Sequence, residues 1–220
     1  MVEIPGPIPG GTIQLKNGFY MISKLISLVV LFFVIIDPLT SFVVFFVSTK
    51  GFNNKAKIKI ATLSVLLAAF ISYLVLFLGQ SLLKLFSTDI NSFKIAGGII
   101  LVILGINMSL GKSFNDLEKM EGDSVHAVAS IIATPLISGP ATITAIIISA
   151  SDYGRFLTGI AIGIILAIIA ILFYFSIKFH DVTSKAKTTM QVVTTIMGLI
   201  TLAWGVNFIL TGVKALFHLI

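Results

Sequence analysis

Charged residues along the chain fall in clusters, and the stretches between them are apolar with little interruption. Lys24 to Lys50 encloses a single charge, Asp37, while Ile60–Leu83, Ile95–Gly111, Val125–Ser151, Phe156–Ile177 and Thr188–Val213 contain no Lys, Arg, Asp or Glu. Each run is long enough to cross a hydrocarbon layer of about 30 Å as a helix, the third being the shortest. The runs are continuously apolar and do not alternate, which argues against a β-barrel. The pattern predicts an all-α polytopic membrane protein with six transmembrane helices in a single domain, residues 1–220. The polar stretch KSFNDLEKMEGDS divides it into two halves of three spans.

The halves match at the positions that punctuate helices. GIILVILGIN carries Gly98, Gly105 and Asn107, and GLITLAWGVN carries Gly198, Gly205 and Asn207. DPLTS carries Pro38, Leu39 and Ser41, and TPLIS carries Pro135, Leu136 and Ser138. The expected organisation is repeat one at about 21–112, a loop at 113–124, and repeat two at about 125–217. Three spans is an odd number, so the second copy enters the membrane from the opposite side and the repeat is inverted. Inverted repeats with interrupted helices in corresponding positions are a common architecture of secondary transporters, with the site near the midplane. The first helix of each repeat is therefore expected to be broken.

Composition agrees with the pattern. The chain has 220 residues, 57% hydrophobic and 11% charged, with a mean hydropathy of +1.09, whereas soluble domains carry about 25% charged residues. Fifteen Lys+Arg against nine Asp+Glu give a net charge of +6. The basic residues sit between apolar runs, so they read as anchors at the lipid surface and not as a nucleic-acid footprint. On the side of the termini lie Lys16, Lys24, Lys84, Lys94, Arg155 and Lys214; the other side has Lys50, Lys55, Lys57, Lys59, Lys112, Lys119, Lys178, Lys185 and Lys187. The positive-inside rule then predicts a multi-pass protein of the cell membrane with both termini outside. The opening MVEIPGPIPGG lacks the basic and apolar regions of a signal peptide and reads as a surface segment. The chain has no cysteine, which excludes disulfides, thiolate metal sites and Cys nucleophiles.

Asp37 is the chief candidate for chemistry. It lies midway along its span, at a depth where an ionised carboxylate costs several kcal/mol unless paired, hydrated or protonated. Two readings fit: a cap for a half-helix beginning at Pro38, or a group that couples transport to a cation. They overlap, because a cap inside a membrane implies a helix break that lines a cavity. Thr134 and Pro135 repeat the cap logic, and Ser138, Gly139 and Pro140 add a second break. Two prolines five residues apart are incompatible with a regular helix. N–H groups near Gly139, Ala141 and Thr142 would then lie at the positive end of a half-helix, suited to a carboxylate. The alternative is a kink filled by Ser/Thr back-bonding. Asn107 and Asn207 could bond a substrate or bond between helices, and the paired glycines read as packing surfaces.

The segments FFVIIDPLTSFVVFF, FKIAGGIILVILGINMSLGK and ATPLISGPATITAIII resemble the MarC family of integral membrane proteins. The resemblance implies a transporter of small neutral amino acids, of glycine and alanine type, driven by a gradient of protons or sodium. In the first motif Asp37, Pro38 and Leu39 match, while Thr40, Ser41 and Val43 replace the usual Gly, Asn and Pro. In the second, Pro135, Leu136, Gly139, Pro140, Ile143 and Thr144 match, with Ala141 where Gly is usual. The site implied has the substrate carboxylate at Gly139–Thr142 and its ammonium facing Asp37 or carbonyls of the first break, with Thr40, Ser41, Thr134 and Ser138 around it. Asp37 would couple the ion. A passive channel or facilitator for small polar solutes is the alternative. An enzyme is not expected: no second buried Asp, no HExxH motif and no His within a span is present to serve Ser138. His126, His180 and His218 stand at span edges or ends, so no metal or cofactor is expected.

Overall fold

The computed structural model describes residues 9–49, 51–85, 87–111, 124–177 and 184–217. These residues are helical nearly throughout: α1 (Pro9–Ile36), α2 (Pro38–Ser48), α3 (Asn54–Leu85), α4 (Ile90–Ser109), α5 (Val125–Ile131), a π-helical turn (Ile132–Ile137), α6 (Pro140–Tyr153), α7 (Arg155–Ile177) and α8 (Ser184–Leu216). Five stretches are long and apolar enough to cross a membrane: Tyr20–Ser48, Asn54–Leu85, Ile90–Ser109, Arg155–Ile177 and Gln191–Leu216. The chain is an all-α polytopic membrane protein. Of the expected loop 113–124, all but Ser124 lies outside the described residues, as do Lys112, Lys119, Lys178, His180 and His218.

The fourth apolar run is not one helix. Pro135 and Pro140 each remove an N–H from the ladder, and the chain widens into a π turn in which Ser138 N donates to Ala133 O, five residues back. It then unwinds at Ser138 and Gly139 before α6 starts at Pro140. Of the two breaks that the sequence suggests in this run, the one at Ser138, Gly139 and Pro140 starts the half-helix, and the one at Thr134 and Pro135 does not. Pro135 falls inside the π turn, and Thr134 is exposed. The later start puts Pro140 opposite Pro38 in the two halves, close to the register in which Gly198 and Gly205 answer Gly98 and Gly105.

The two interrupted segments form the interior. The most apolar stretch of the first span is 78% buried, against 28–39% for the other four. α6 is buried at every position from Thr144 to Ala150. Around them α3 packs on α7 and α4 on α8. Leu66, Phe70, Phe77, Phe175 and Leu199 face outward as a lipid belt. Phe45 of α2 stacks on Phe173 of α7 at 4.4 Å between ring centroids.

In lipid, apolar side chains gain little by leaving the surroundings, so close backbone approach and polar bonds hold helices together. The α4–α8 seam follows that rule. A Cβ on Gly98 would lie 2.6 Å from Gly205 O, and one on Gly105 would lie 2.7 Å from Gly198 O; Gly205 and Gly198 are equally tight against Gly98 O and Ser109 N. The contacts run antiparallel and are reciprocal: Gly98 meets Gly205, and Gly105 meets Gly198. Hydroxyls fasten the interior. Ser138 Oγ donates to Ala68 O and lies 3.3 Å from Ser72 Oγ, while Ser64 Oγ donates to Ala129 O.

Candidate functional site

At the first break, α1 ends with Asp37 N donating to Phe33 O, and α2 begins with Ser41 N donating to Asp37 O. Pro38 has no N–H to offer the carbonyl of Val34, four residues back. Asp37 sits between the helices in the left-handed region, φ 47°, ψ 75°. Asp tolerates this conformation better than most residues, but it still costs about 1–3 kcal/mol. The strain turns its carboxylate onto the start of α2. Oδ1 accepts from Thr40 N at 3.2 Å, and Oδ2 accepts from Thr40 Oγ1 at 2.6 Å. Thr40 Oγ1 is also 3.1 Å from Thr194 Oγ1 of α8, so the carboxylate is braced from the other half of the chain. Asp37 and Thr40 are both buried.

At the second break Gly139 is the N-cap of α6 in extended conformation, φ −71°, ψ 174°, with no side chain bonded to the helix end. The helical ladder starts with Ile143 N donating to Gly139 O. Ala141 and Thr142 therefore stand in the first turn, where backbone N–H groups lack intrahelical acceptors. An uncapped helix start of this kind carries partial positive charge and suits an anion.

A cavity of about 370 Å³ joins the two breaks. Asp37 and Thr40 line one side, Gly139, Pro140, Ala141 and Thr142 another, and Asn107 of α4 lines it together with apolar walls such as Ile35, Ile100 and Leu104. Its volume lies within the range of about 300–1,000 Å³ usual for ligand sites. The other sequence candidates lie elsewhere. Ser41 is fully buried with its Oγ unbonded among the described residues, outside the cavity. Ser138 is occupied by α3, Thr134 faces outward, and Asn207 lines a different cavity nearer the described chain ends. Pro38 is buried as the first residue of α2.

Sequence reasoning missed the apolar walls, which are indistinguishable from lipid-facing residues in a chain this hydrophobic. It also treated Lys94 only as a surface anchor and Asp152 only as the limit of a span. Lys94 Nζ in fact donates to Asp152 Oδ1 at 2.8 Å, with the lysine buried. Two opposite charges at span ends on the same side were the available signal.

An all-α membrane bundle whose interrupted interior helices meet at a small, partly polar cavity defines a class of polytopic proteins with an intramembrane site. Residues 22–217 match the model of the MarC family of integral membrane proteins, and the chain belongs to that family. The UPF0056 membrane protein YhcE of Escherichia coli is 33% identical over 192 residues, covering 84% of this chain and 89% of its own. The UPF0056 membrane protein MJ1677 of Methanocaldococcus jannaschii is 29% identical over 191 residues, covering 83% and 92%. The UPF0056 membrane protein YvbG of Bacillus subtilis is 29% identical over 207 residues, covering 90% and 97%. No solved structure matches the chain significantly. Among the described residues no three His, Asp or Glu gather into a cluster that could hold a metal ion.

Proposed function

We propose that the protein is a secondary transporter of small neutral amino acids, of glycine and alanine type, coupled to a proton gradient. The observation that carries this reading is the cavity where a braced carboxylate and an uncapped half-helix start face the same space. The substrate carboxylate takes the N–H groups of Ala141 and Thr142, and its ammonium turns to Asp37 and the carbonyls at the end of α1. Isoleucine and leucine walls exclude further charge, and the limited volume favours a small side chain. Asp37 exchanges the coupling proton, and Thr40 carries the change to Thr194 on α8.

The six spans work as two inverted repeats, about 21–112 and 125–217, of which one rocks against the other. The reciprocal glycine contacts across α4 and α8 support this, since a two-fold relation makes residue i meet j and j meet i. With the lysine-rich loops in the cytoplasm, both termini face outside. The test is uptake of radiolabelled glycine and alanine by proteoliposomes, with a pH gradient imposed and then collapsed. Accumulation above equilibrium only under the gradient is expected; equilibration without accumulation contradicts coupling and favours a facilitator.

A further inference from the structure

A second cavity, of about 520 Å³, lies among α1, the start of α4, the end of α6 and the last third of α8. It contains the Lys94–Asp152 pair, Ser149 and Asn207. Lys94 and Leu104, which line the two cavities, are ten residues apart on α4, or about 15 Å along the helix. Leu104, which lines the first cavity, and Trp204, which lines the second, both pack against the buried cluster of Val34, Met108 and Met197.

The ion pair is incompletely satisfied. A lysine ammonium has three donors, and among the described residues Asp152 Oδ1 is the only acceptor of Lys94. Asp152 Oδ2 has no donor from the described residues, and its side chain is 38% exposed. One turn back on α6, Ser149 is 1% exposed, lines the same cavity, and has an Oγ with no hydrogen-bond partner. Lys94, the buried half of the pair, would be expected to close its remaining bonds if it served only to tie α4 to α6, because a desolvated charge is costly unless fully bonded. Here two N–H donors, a carboxylate oxygen and a hydroxyl are left around one space. A small zwitterion satisfies all of them without adding net charge.

We propose that this cavity is a second binding site for a small zwitterionic amino acid, with the ligand carboxylate on Lys94 and Ser149 and its ammonium on Asp152 Oδ2. The choice of ligand rests on the function proposed above. The site is a waystation on the side of the described chain ends.

The experiment is equilibrium binding of radiolabelled alanine to the purified full chain in detergent. Lys94→Met and Asp152→Leu are introduced together, because removing one partner alone would strand a buried charge. The wild type is expected to bind two molecules per chain, and the double variant one. Ser149→Ala, which leaves the pair intact, is expected to weaken one of the two sites about tenfold and keeps the test available if the double variant does not fold. A double variant or Ser149→Ala protein that is monodisperse and binds as the wild type does would overturn the second site and leave the transport reading standing. No alanine or glycine binding by the folded wild type would overturn both.

Discussion

The two breaks share a plan and differ in their finish. Each places a proline at the first position of a half-helix, and each points that helix start at the same cavity. At the first, Asp37 supplies a carboxylate to the start of α2 through Thr40. At the second, Gly139 supplies no side chain to α6. A helix start carries the equivalent of about half a positive charge, which Asp37 offsets at α2 and no capping side chain among the described residues offsets at α6. The difference teaches that a broken helix in a membrane can be closed by its own sequence or left for an anion from outside, and that this bundle does one of each.

Making the second break resemble the first should have the largest effect. Gly139→Asp gives α6 its own carboxylate, in a backbone conformation that Asp adopts readily at an N-cap. Alanine binding at the first cavity should fall about 100-fold or more, from the loss of charge-assisted bonds worth about 1.5–3 kcal/mol each and from charge repulsion. The converse change, Asp37→Asn, keeps an N-cap residue but removes the titrating charge. Purified protein should stay folded and still equilibrate alanine in proteoliposomes, while accumulation under a pH gradient disappears.

Thr40→Val tests the brace rather than the charge. It removes the hydroxyl that meets both Asp37 and Thr194, and thermal or denaturant unfolding should register a loss of about 1–3 kcal/mol. The two asparagines sharpen the comparison further. Asn107→Leu should weaken alanine binding at the first cavity about tenfold, whereas Asn207→Leu should leave that site unchanged, because the residues line different cavities.

The smallest effect belongs to a conventional cap at the start of α4. Asp89 accepts from Asn91 N and Ser92 N, and the hydrogen bonds from Ser92 hold its carboxyl below the usual carboxylate range. A lowered folded value means that its contribution is present above the unfolded pKa and is lost as pH falls through the folded one. Asp89→Ala should therefore lower the melting temperature slightly at neutral pH and hardly at all in strong acid.

Much of this was legible in the sequence because lipid imposes a simple code. Charge-free runs marked the helices, and Asp37-Pro38 marked the first break at the residue where the helix stops. Gly98 and Gly105 read as packing surfaces, and backbone atoms of α8 lie against both. In the fourth run two breaks were legible, and the one at Ser138, Gly139 and Pro140 starts the half-helix, whereas Pro135 lies within the π turn. Pro135 and Pro140 each can end a helix, and only the three-dimensional course of the chain, a π turn at one and full unwinding at the other, distinguishes them. The matching asparagines line different cavities, since residues at equivalent positions of antiparallel helices lie at opposite depths. Lys94 and Asp152 stood as opposite charges at span ends on the same side, but their pairing depends on the packing of α4 against α6, which neither local sequence specifies.

The central claim is that the uncapped start of α6 accepts a substrate carboxylate. Displacement of bound radiolabelled alanine by alaninamide, which keeps the ammonium and side chain but has no carboxylate, tests it most directly. The account predicts that unlabelled alanine and glycine displace the label while alaninamide, at 100-fold excess, does not. Displacement by alaninamide as effective as by alanine would contradict it.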